Sequence, residues 1–161
     1  MISLPRFMLA APSSGSGKTM VTCGMLQLLK NKGLQPCAYK CGPDYIDPMF
    51  HTKVLGMPSR NLDPFFTDRK MTRMLFARSA EHAGISVMEG VMGVYDGLGG
   101  ITKEASSYDL AKKTDTPIIL VINAKGMSLS VIPLLKGFLD YQDPDGQVIR
   151  GVILNRATKM T

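Results

Sequence analysis

The feature that most constrains this chain is a run of small residues between an apolar segment and a segment with helical periodicity. The run ends in Gly15-Ser16-Gly17-Lys18-Thr19 and follows the apolar residues 7–10. After it, apolar side chains recur at helical spacing, at Met20, Val21, Met25, Leu26, Leu28 and Leu29. This order of strand, loop and helix is the context in which the pattern G-x-x-x-x-G-K-[ST] forms a phosphate-binding loop (P-loop).

The residue types in this loop suit the phosphates of ATP. Its small residues run from Ser13 to Gly17, and Ser14, Gly15, Ser16 and Gly17 are the predicted phosphate contacts together with Lys18 and Thr19. Their backbone N–H groups can converge on phosphate oxygens at the positive end of the following helix. Lys18 is placed to reach the β- and γ-phosphates, and the Thr19 hydroxyl is placed to bind Mg²⁺. Pro12 stands where the pattern has its first glycine, which is a departure from it.

Apolar runs and helical patterns alternate along the rest of the chain. We predict strands over residues 7–10, 36–39, 85–88, 117–122 and 148–154, and helices over about 67–82, 106–113 and 129–139. The polar, proline-rich residues 40–64 are predicted to form a long loop. Strands that are apolar on both faces indicate a parallel sheet covered on two sides. We therefore predict one α/β domain over residues 1–161, doubly wound, with helices on both faces of a mainly parallel sheet.

Composition bears on the cellular location of the protein and on the class of ligand that it binds. No apolar run approaches the roughly 20 residues that span a bilayer, and no signal peptide is evident, so we expect a cytoplasmic protein without membrane contact. The net charge of +6 favours an anionic partner. With no Trp, 7% aromatic residues and no long basic run, we expect a polyanionic small molecule and not a nucleic acid. Cys23, Cys37 and Cys41 are expected to be reduced thiols near the core.

Acidic residues follow two other predicted strands. Asp44 and Asp47 come after the second strand, and Glu89 ends the third. The carboxyl ends of parallel strands meet at one edge of a sheet, so these acids are expected to face one crevice. Mg²⁺ on ATP phosphates prefers oxygen ligands, so Thr19, Asp44 and Glu89 are the predicted metal ligands. A capping role remains an alternative for Glu89, and an ordinary turn residue explains Asp47 equally well.

Other candidates carry weaker signals. Asp96 lies in a second glycine-rich segment and has the same ambiguity as Asp47. Asn155 ends the last predicted strand, where its amide suits either adenine or a turn. His51 and His82 have no partner at metal or triad spacing, so we expect surface or packing roles. No nucleophile motif is present.

Several segments together resemble a known family. They are APSSGSGKT at 11–19, GPDYIDP at 42–48, SRNLDP at 59–64, EGVMGVYDG at 89–97 and Asn155-Arg156. With them the chain resembles the amino-terminal domain of the cobyrinic acid a,c-diamide synthase family, amidotransferases of cobalamin biosynthesis related to dethiobiotin synthetase. The loop of that family is similar to A-P-x-S-G-S-G-K-T, so Pro12 is no departure from it.

The resemblance implies a P-loop NTPase fold and a reaction. ATP with Mg²⁺ would activate the c and then the a acetate carboxylate of cobyrinic or hydrogenobyrinic acid as an acyl phosphate, which ammonia then attacks. It implies a metal shell of Thr19, Asp44 and Glu89, with Asn155 on adenine. It places Tyr45, Ile46 and Asp96 near the carboxylate or its phosphate. The implied catalytic residues are Lys18, Asp44, Tyr45, Glu89 and Asp96.

The same resemblance bears on partners. Family members carry a carboxyl-terminal glutaminase domain that makes ammonia from glutamine, and no part of this chain supplies it. The chain stops just after a predicted strand, so we expect it to be the ligase part of a longer protein. That glutaminase domain and a corrinoid are the expected partners, and a homodimer is a possible assembly.

Two other functions stay open at this point. A switch-type ATPase of partitioning machinery shares the fold and a similar loop. Such switches typically carry an additional lysine early in the loop, where this chain has Ser13 and Ser14. A sibling amidase acting on another metallo-tetrapyrrole, such as nickel-sirohydrochlorin, would leave the same motifs.

Overall fold

The computed structural model describes residues 4–144 and 146–158, in which strands and helices alternate. The strands are β1 (Arg6–Ala10), β2 (Pro36–Cys41), β3 (Ser59–Leu62), β4 (Ile85–Glu89), β5 (Ile118–Asn123) and β6 (Ile149–Asn155). The α-helices are α1 (Lys18–Asn31), α2 (Ile46–Lys53), α3 (Arg69–Ala80), α4 (Ser107–Thr114) and α5 (Val131–Asp140). A 3₁₀ turn spans Leu98–Gly100. Residues 159–161, which follow the last predicted strand, lie outside this description.

The six strands form one sheet in the order β3-β2-β4-β1-β5-β6, and every pair of neighbours is parallel. The order reverses around β1, because β2 to β4 lie on one side of it and β5 and β6 on the other. Ligands bind at such reversals, beyond the carboxyl ends of the strands. The register brings Leu9 of β1 and Lys40 of β2 to either side of Glu89 in β4.

Both faces of the sheet are covered, as predicted for strands without a polar face. One face packs on α1 through a cluster that includes Leu9, Val87 and Leu26. The other face packs on α3, α4 and α5, in a larger cluster of which Leu120 and Leu110 are members. Alternate residues of each strand therefore enter opposite layers of the core. The predicted α/β, doubly wound fold is confirmed.

The prediction of one long loop over residues 40–64 was wrong. That stretch contains α2 and β3. Strand β3 lies at the edge of the sheet and buries only Leu62 fully, so it lacks the apolar run that marks the inner strands. Helix α2 buries only His51, so no apolar stripe reveals it. The other predicted elements are present, with ends that differ by one or two residues.

The isolated cysteines and histidines have packing or surface positions. All three cysteines are free, with Cys37 and Cys41 buried. Burial raises the pKa of the Cys41 thiol to about 12, which keeps it protonated and unreactive. His51 is buried, with Nδ1 at 3.3 Å from Ser59 Oγ, and His82 is exposed. Among the described residues, no helix is long and apolar enough to cross a bilayer.

Truncation of a core leucine tests this account of the sheet. Leu120 is fully buried in β5, so Leu120→Ala is expected to lower the free energy of unfolding by about 3 kcal/mol. Leu28 on α1 is about half exposed, and Leu28→Ala is expected to cost less than about 1 kcal/mol. Urea unfolding followed by circular dichroism measures both. Equal losses would show that β5 does not form the centre of the core.

Candidate functional site

A cavity of about 470 Å³ opens at the carboxyl ends of β1, β2 and β4. It brings together most of the predicted site residues, namely Ser14, Gly15, Gly17, Lys18, Thr19, Asp44 and Glu89. Asp47 and two further cations, Lys40 and Arg156, also line it. Ser16 is buried beneath the loop, where its hydroxyl donates to Ser13 O at 3.0 Å. The P-loop and the acids therefore share one edge of the sheet, as the sequence predicts.

The P-loop leads directly into α1. Gly17 adopts φ +91°, a left-handed conformation that favours glycine, and α1 begins at the next residue. Within the described part of the chain, no side chain caps the amino end of α1. The first N–H groups of the helix are therefore available to an anion, and the helix dipole adds a positive potential.

The Lys18 ammonium is held by backbone carbonyls of two loops. Its Nζ donates to Met92 O at 2.6 Å and to Ser13 O at 3.3 Å. Burial lowers the pKa of Lys18, and the nearby Lys40 lowers it further, against the opposing effect of Glu89 and Asp96. An anion bound in the cavity would relieve both unfavourable effects, so the charge of Lys18 suits a phosphate ligand.

Asp96 acts on Lys18 through a single peptide group. Its Oδ2 accepts a hydrogen bond from Gly93 N at 2.8 Å, and the carbonyl of that same peptide, Met92 O, holds Lys18. Met92 has φ +48°, an uncommon backbone conformation for a non-glycine residue. A Cβ at position 93 would lie 2.6 Å from Pro12 O, so glycine is needed there. Asp96 therefore shapes the loop that positions Lys18.

Glu89 is the most deeply buried acid of the site. Its side chain is fully buried, and Oε1 accepts hydrogen bonds from Thr19 Oγ1 at 2.6 Å and from Lys40 Nζ at 2.9 Å. Its second oxygen, Oε2, is also buried and has no hydrogen-bond partner among the described residues. A buried carboxylate oxygen without a partner is costly, so this oxygen is suited to accept a cation or its bound water.

Sequence reasoning missed Lys40, which neutralises the acids of the site. It is almost fully buried at the end of β2, and Nζ lies 2.6 Å from Asp47 Oδ2 and 3.8 Å from Asp44 Oδ2. Burial alone would lower the pKa of Lys40, but Glu89 and Asp47 outweigh it and raise that pKa. The available signal was a lysine within an otherwise apolar, buried strand.

The Asp44 side chain stabilises the turn between β2 and α2. Its Oδ1 accepts hydrogen bonds from the backbone N–H groups of Ile46 at 2.8 Å and Asp47 at 3.4 Å, at the start of α2. Asp44 thus faces the cavity with one oxygen and organises the turn with the other. Tyr45 and Ile46 are exposed and point away from the core.

Asn155 connects β6 to the P-loop. Its Nδ2 donates to Ser16 O at 2.9 Å, beside Gly17. The predicted adenine contact of Asn155 stays a prediction. Arg156 follows with φ +58° and lines the cavity.

The oxygen ligands at this edge of the sheet suit Mg²⁺, provided that nucleotide phosphates complete the coordination shell of the cation. Thr19 supplies a hydroxyl and Glu89 and Asp44 supply carboxylates, which are the oxygen ligands that Mg²⁺ prefers. Among residues 4–144 and 146–158, no three or more His, Cys, Asp or Glu side chains form a group that could hold a metal. A cation here would therefore need oxygens from a bound ligand.

Replacement of Lys40 tests the electrostatics of the site. Lys40→Met leaves the Glu89 carboxylate buried without a cation, so we expect a loss of about 3 kcal/mol in the free energy of unfolding. Lys40→Met combined with Glu89→Gln is expected to regain most of that loss, because the buried charge is then removed. Lys53→Met is the control, since Lys53 is exposed and has no ion pair among the described residues. The free energies of unfolding are measured by chemical denaturation. Equal values for Lys40→Met and Lys53→Met would contradict this description.

Comparisons with known proteins agree with this geometry. A family model described as the CobQ/CobB/MinD/ParA nucleotide binding domain matches residues 7–160. A cobyrinate a,c-diamide synthase of Thermoplasma volcanium is 45% identical over 157 residues, 98% of this chain and 34% of the relative. One of Listeria innocua is 46% identical over 152 residues, 94% of this chain and 33% of the relative. A hydrogenobyrinate a,c-diamide synthase of Streptomyces coelicolor is 44% identical over 154 residues, which are 96% of this chain and 31% of the relative.

The chain spans about a third of the length of these curated relatives. The match runs through the P-loop and all six strands, and the resemblance predicted from the sequence motifs is confirmed. The chain therefore belongs to the CobQ/CobB/MinD/ParA nucleotide-binding domain family.

Proposed function

We propose that this chain is the ATP-binding amidoligase domain of an enzyme that activates the a and c acetate carboxylates of cobyrinic or hydrogenobyrinic acid. The observation that carries the proposal is the buried Glu89 carboxylate, which is bonded to Thr19 of the P-loop and whose second oxygen has no partner in the described part of the chain. The names of the relatives, which are cobyrinate and hydrogenobyrinate a,c-diamide synthases, support a role in cobalamin biosynthesis and suggest the acceptor.

ATP would bind with its phosphates along residues 13–19. The uncapped amino end of α1 would accept the phosphate charge, and Lys18 would exchange Met92 O for the γ-phosphate. Mg²⁺, when bound, would neutralise charge that develops on the phosphates. Thr19, Glu89 and Asp44 would hold that cation, while Lys40 keeps the acids neutralised before it arrives. Asn155, already bonded to the loop, would lie beside the base.

The proposed reaction needs positioning and charge neutralisation more than a protein nucleophile. A carboxylate oxygen of the acceptor forms a bond to the γ-phosphorus as the bond to ADP breaks. Ammonia then attacks the acyl carbon, and phosphate leaves with the former carboxylate oxygen. Lys18 would stabilise the transferring group. Asp96 would act by fixing the Met92 carbonyl loop, and Tyr45 would lie near the acceptor.

We further propose that ammonia comes from glutamine in a glutaminase domain of the full-length protein. The greater length of the relatives is consistent with an additional domain. We also propose a cytoplasmic location, because the proposed reaction uses ATP and glutamine, and a homodimer stays a prediction.

Replacement of the P-loop lysine tests nucleotide binding. Lys18→Ala removes a charge-assisted contact with the phosphates, so we expect ATP affinity to fall by at least about 2 kcal/mol, roughly 30-fold. Lys32→Ala, on an exposed residue just after α1, is the control and is expected to bind ATP as the native chain does. Titration calorimetry with Mg²⁺ and a non-hydrolysable ATP analogue measures both. Equal affinities for the two variants would remove the proposed site.

Oxygen transfer tests the reaction. The full-length protein is incubated with Mg²⁺, ATP and glutamine and with cobyrinic, hydrogenobyrinic or nickel-sirohydrochlorin acceptors labelled with ¹⁸O in their carboxylates. We expect ¹⁸O in the released phosphate and a diamide product with cobyrinic or hydrogenobyrinic acid. ADP release that does not depend on any acceptor would instead favour a switch-type ATPase. Product only with the nickel compound would favour the sibling amidase.

A further inference from the structure

A second cleft lies beside the nucleotide cavity and shares a wall with it. It has a volume of about 740 Å³ and is bounded by the start of α2, by β3 and by α3. Asp44 lines both spaces. Since β3 is an edge strand, the cleft is open to solvent on that side of the sheet. A molecule that occupies it can therefore be large and still reach the phosphate end of the nucleotide cavity.

Two arginines that have no partner among the described residues line this cleft. Arg6, Arg69 and Arg73 donate hydrogen bonds to backbone or carboxylate oxygens. The arginines that have no hydrogen bond or ion pair within the described residues are Arg60, Arg78, Arg150 and Arg156. Arg60 of β3 and Arg78 of α3 both line the cleft, although they come from different elements. Two unpaired guanidinium groups in one cleft favour an anionic ligand.

The other polar groups of the cleft already have partners. Ser79 Oγ lies 2.9 Å from Tyr39 OH, and Ser59 Oγ lies 3.3 Å from His51 Nδ1. Asn61 donates to the backbone carbonyl of Asp44. Asp44 is the acid that lines the cleft, and its Oδ1 is bonded to α2 while Oδ2 faces Lys40. The two arginines therefore dominate the charge that a ligand would meet.

Exposed aromatic and aliphatic side chains also line the cleft. The Tyr45 side chain is 76% exposed there, and Leu75 of α3 is 40% exposed. An exposed aromatic face suits a flat organic body, because stacking removes apolar area of both partners from water. The combination of Tyr45 and Leu75 with the two guanidinium groups fits an organic polycarboxylate better than an inorganic anion.

We propose that this cleft binds the acceptor, with Arg60 and Arg78 holding carboxylates that are not being activated. Another carboxylate of the same molecule then extends past Asp44 toward the P-loop. Arginine pairs with carboxylates through two parallel hydrogen bonds, which fixes orientation as well as charge. The inference rests on the proposed function, because it assumes an acceptor with several carboxylates.

Binding of cobyrinic acid and hydrogenobyrinic acid, followed by equilibrium dialysis and their visible absorbance, tests the inference. We expect Arg60→Gln and Arg78→Gln each to weaken binding about tenfold and the double variant about 100-fold. Arg60→Lys and Arg78→Lys are expected to lose less, since they keep the charge. Arg150→Gln is the matched control, because Arg150 is also unpaired but lines a different cleft. The heptamethyl ester of cobyrinic acid, which has no carboxylates, is expected to bind weakly to the native chain.

Nucleotide binding separates this inference from the function on which it rests. The double variant is expected to bind the ATP analogue within twofold of the native affinity, which also shows that it is folded. Native affinity of the double variant for both acids would overturn the cleft assignment, as would an equal loss in Arg150→Gln. Failure of the native chain to bind either acid while it binds the nucleotide would also overturn it. Failure of the native chain to bind the nucleotide would contradict the proposed function instead.

Discussion

The burial of the Glu89 carboxylate beside the P-loop is the interaction on which the site depends. A buried charge is tolerated only with compensating partners. Here Thr19 and Lys40 bond one oxygen, while the other has no partner within residues 4–144 and 146–158. Lys40 in turn holds Asp47 and faces Asp44, so one buried ammonium links the acids of two strand ends. The protein thereby keeps a concentrated set of carboxylates at the point where the proposed cation and phosphates meet.

The strand order explains how this interaction forms. Strands β2, β4 and β1 are neighbours, and the register sets Lys40 and Leu9 on either side of Glu89. The P-loop leaves the sheet just beyond Leu9, so Thr19 returns to Glu89 at the start of α1. The loop after β4 and the end of β6 then fix the P-loop, since Met92 O accepts from Lys18 and Asn155 donates to Ser16 O. A parallel, doubly wound sheet places all of these groups at one edge.

Sequence reasoning predicted those elements and site residues that a local pattern in the sequence marks. The P-loop, the inner strands and the shared edge of Glu89 and Asp44 follow from apolar runs and from the rule that parallel strands end together. The edge strand β3 and helix α2 were missed because each buries only one residue fully. Lys40 was missed because pairing between β2 and β4 is long-range, and no local pattern predicts that a buried lysine will meet Glu89. The link from Asp96 to Lys18 depends on the path of the Met92 peptide, which spacing alone does not determine.

A crystal structure of the chain with Mg²⁺ and a non-hydrolysable ATP analogue tests the central claim most directly. The account predicts that the triphosphate lies along residues 13–19 and that the cation is bound by Thr19 and faces the free oxygen of Glu89. It also predicts that the Lys18 ammonium has left Met92 O for the γ-phosphate. A triphosphate bound elsewhere, or a cation remote from Glu89, would contradict the account.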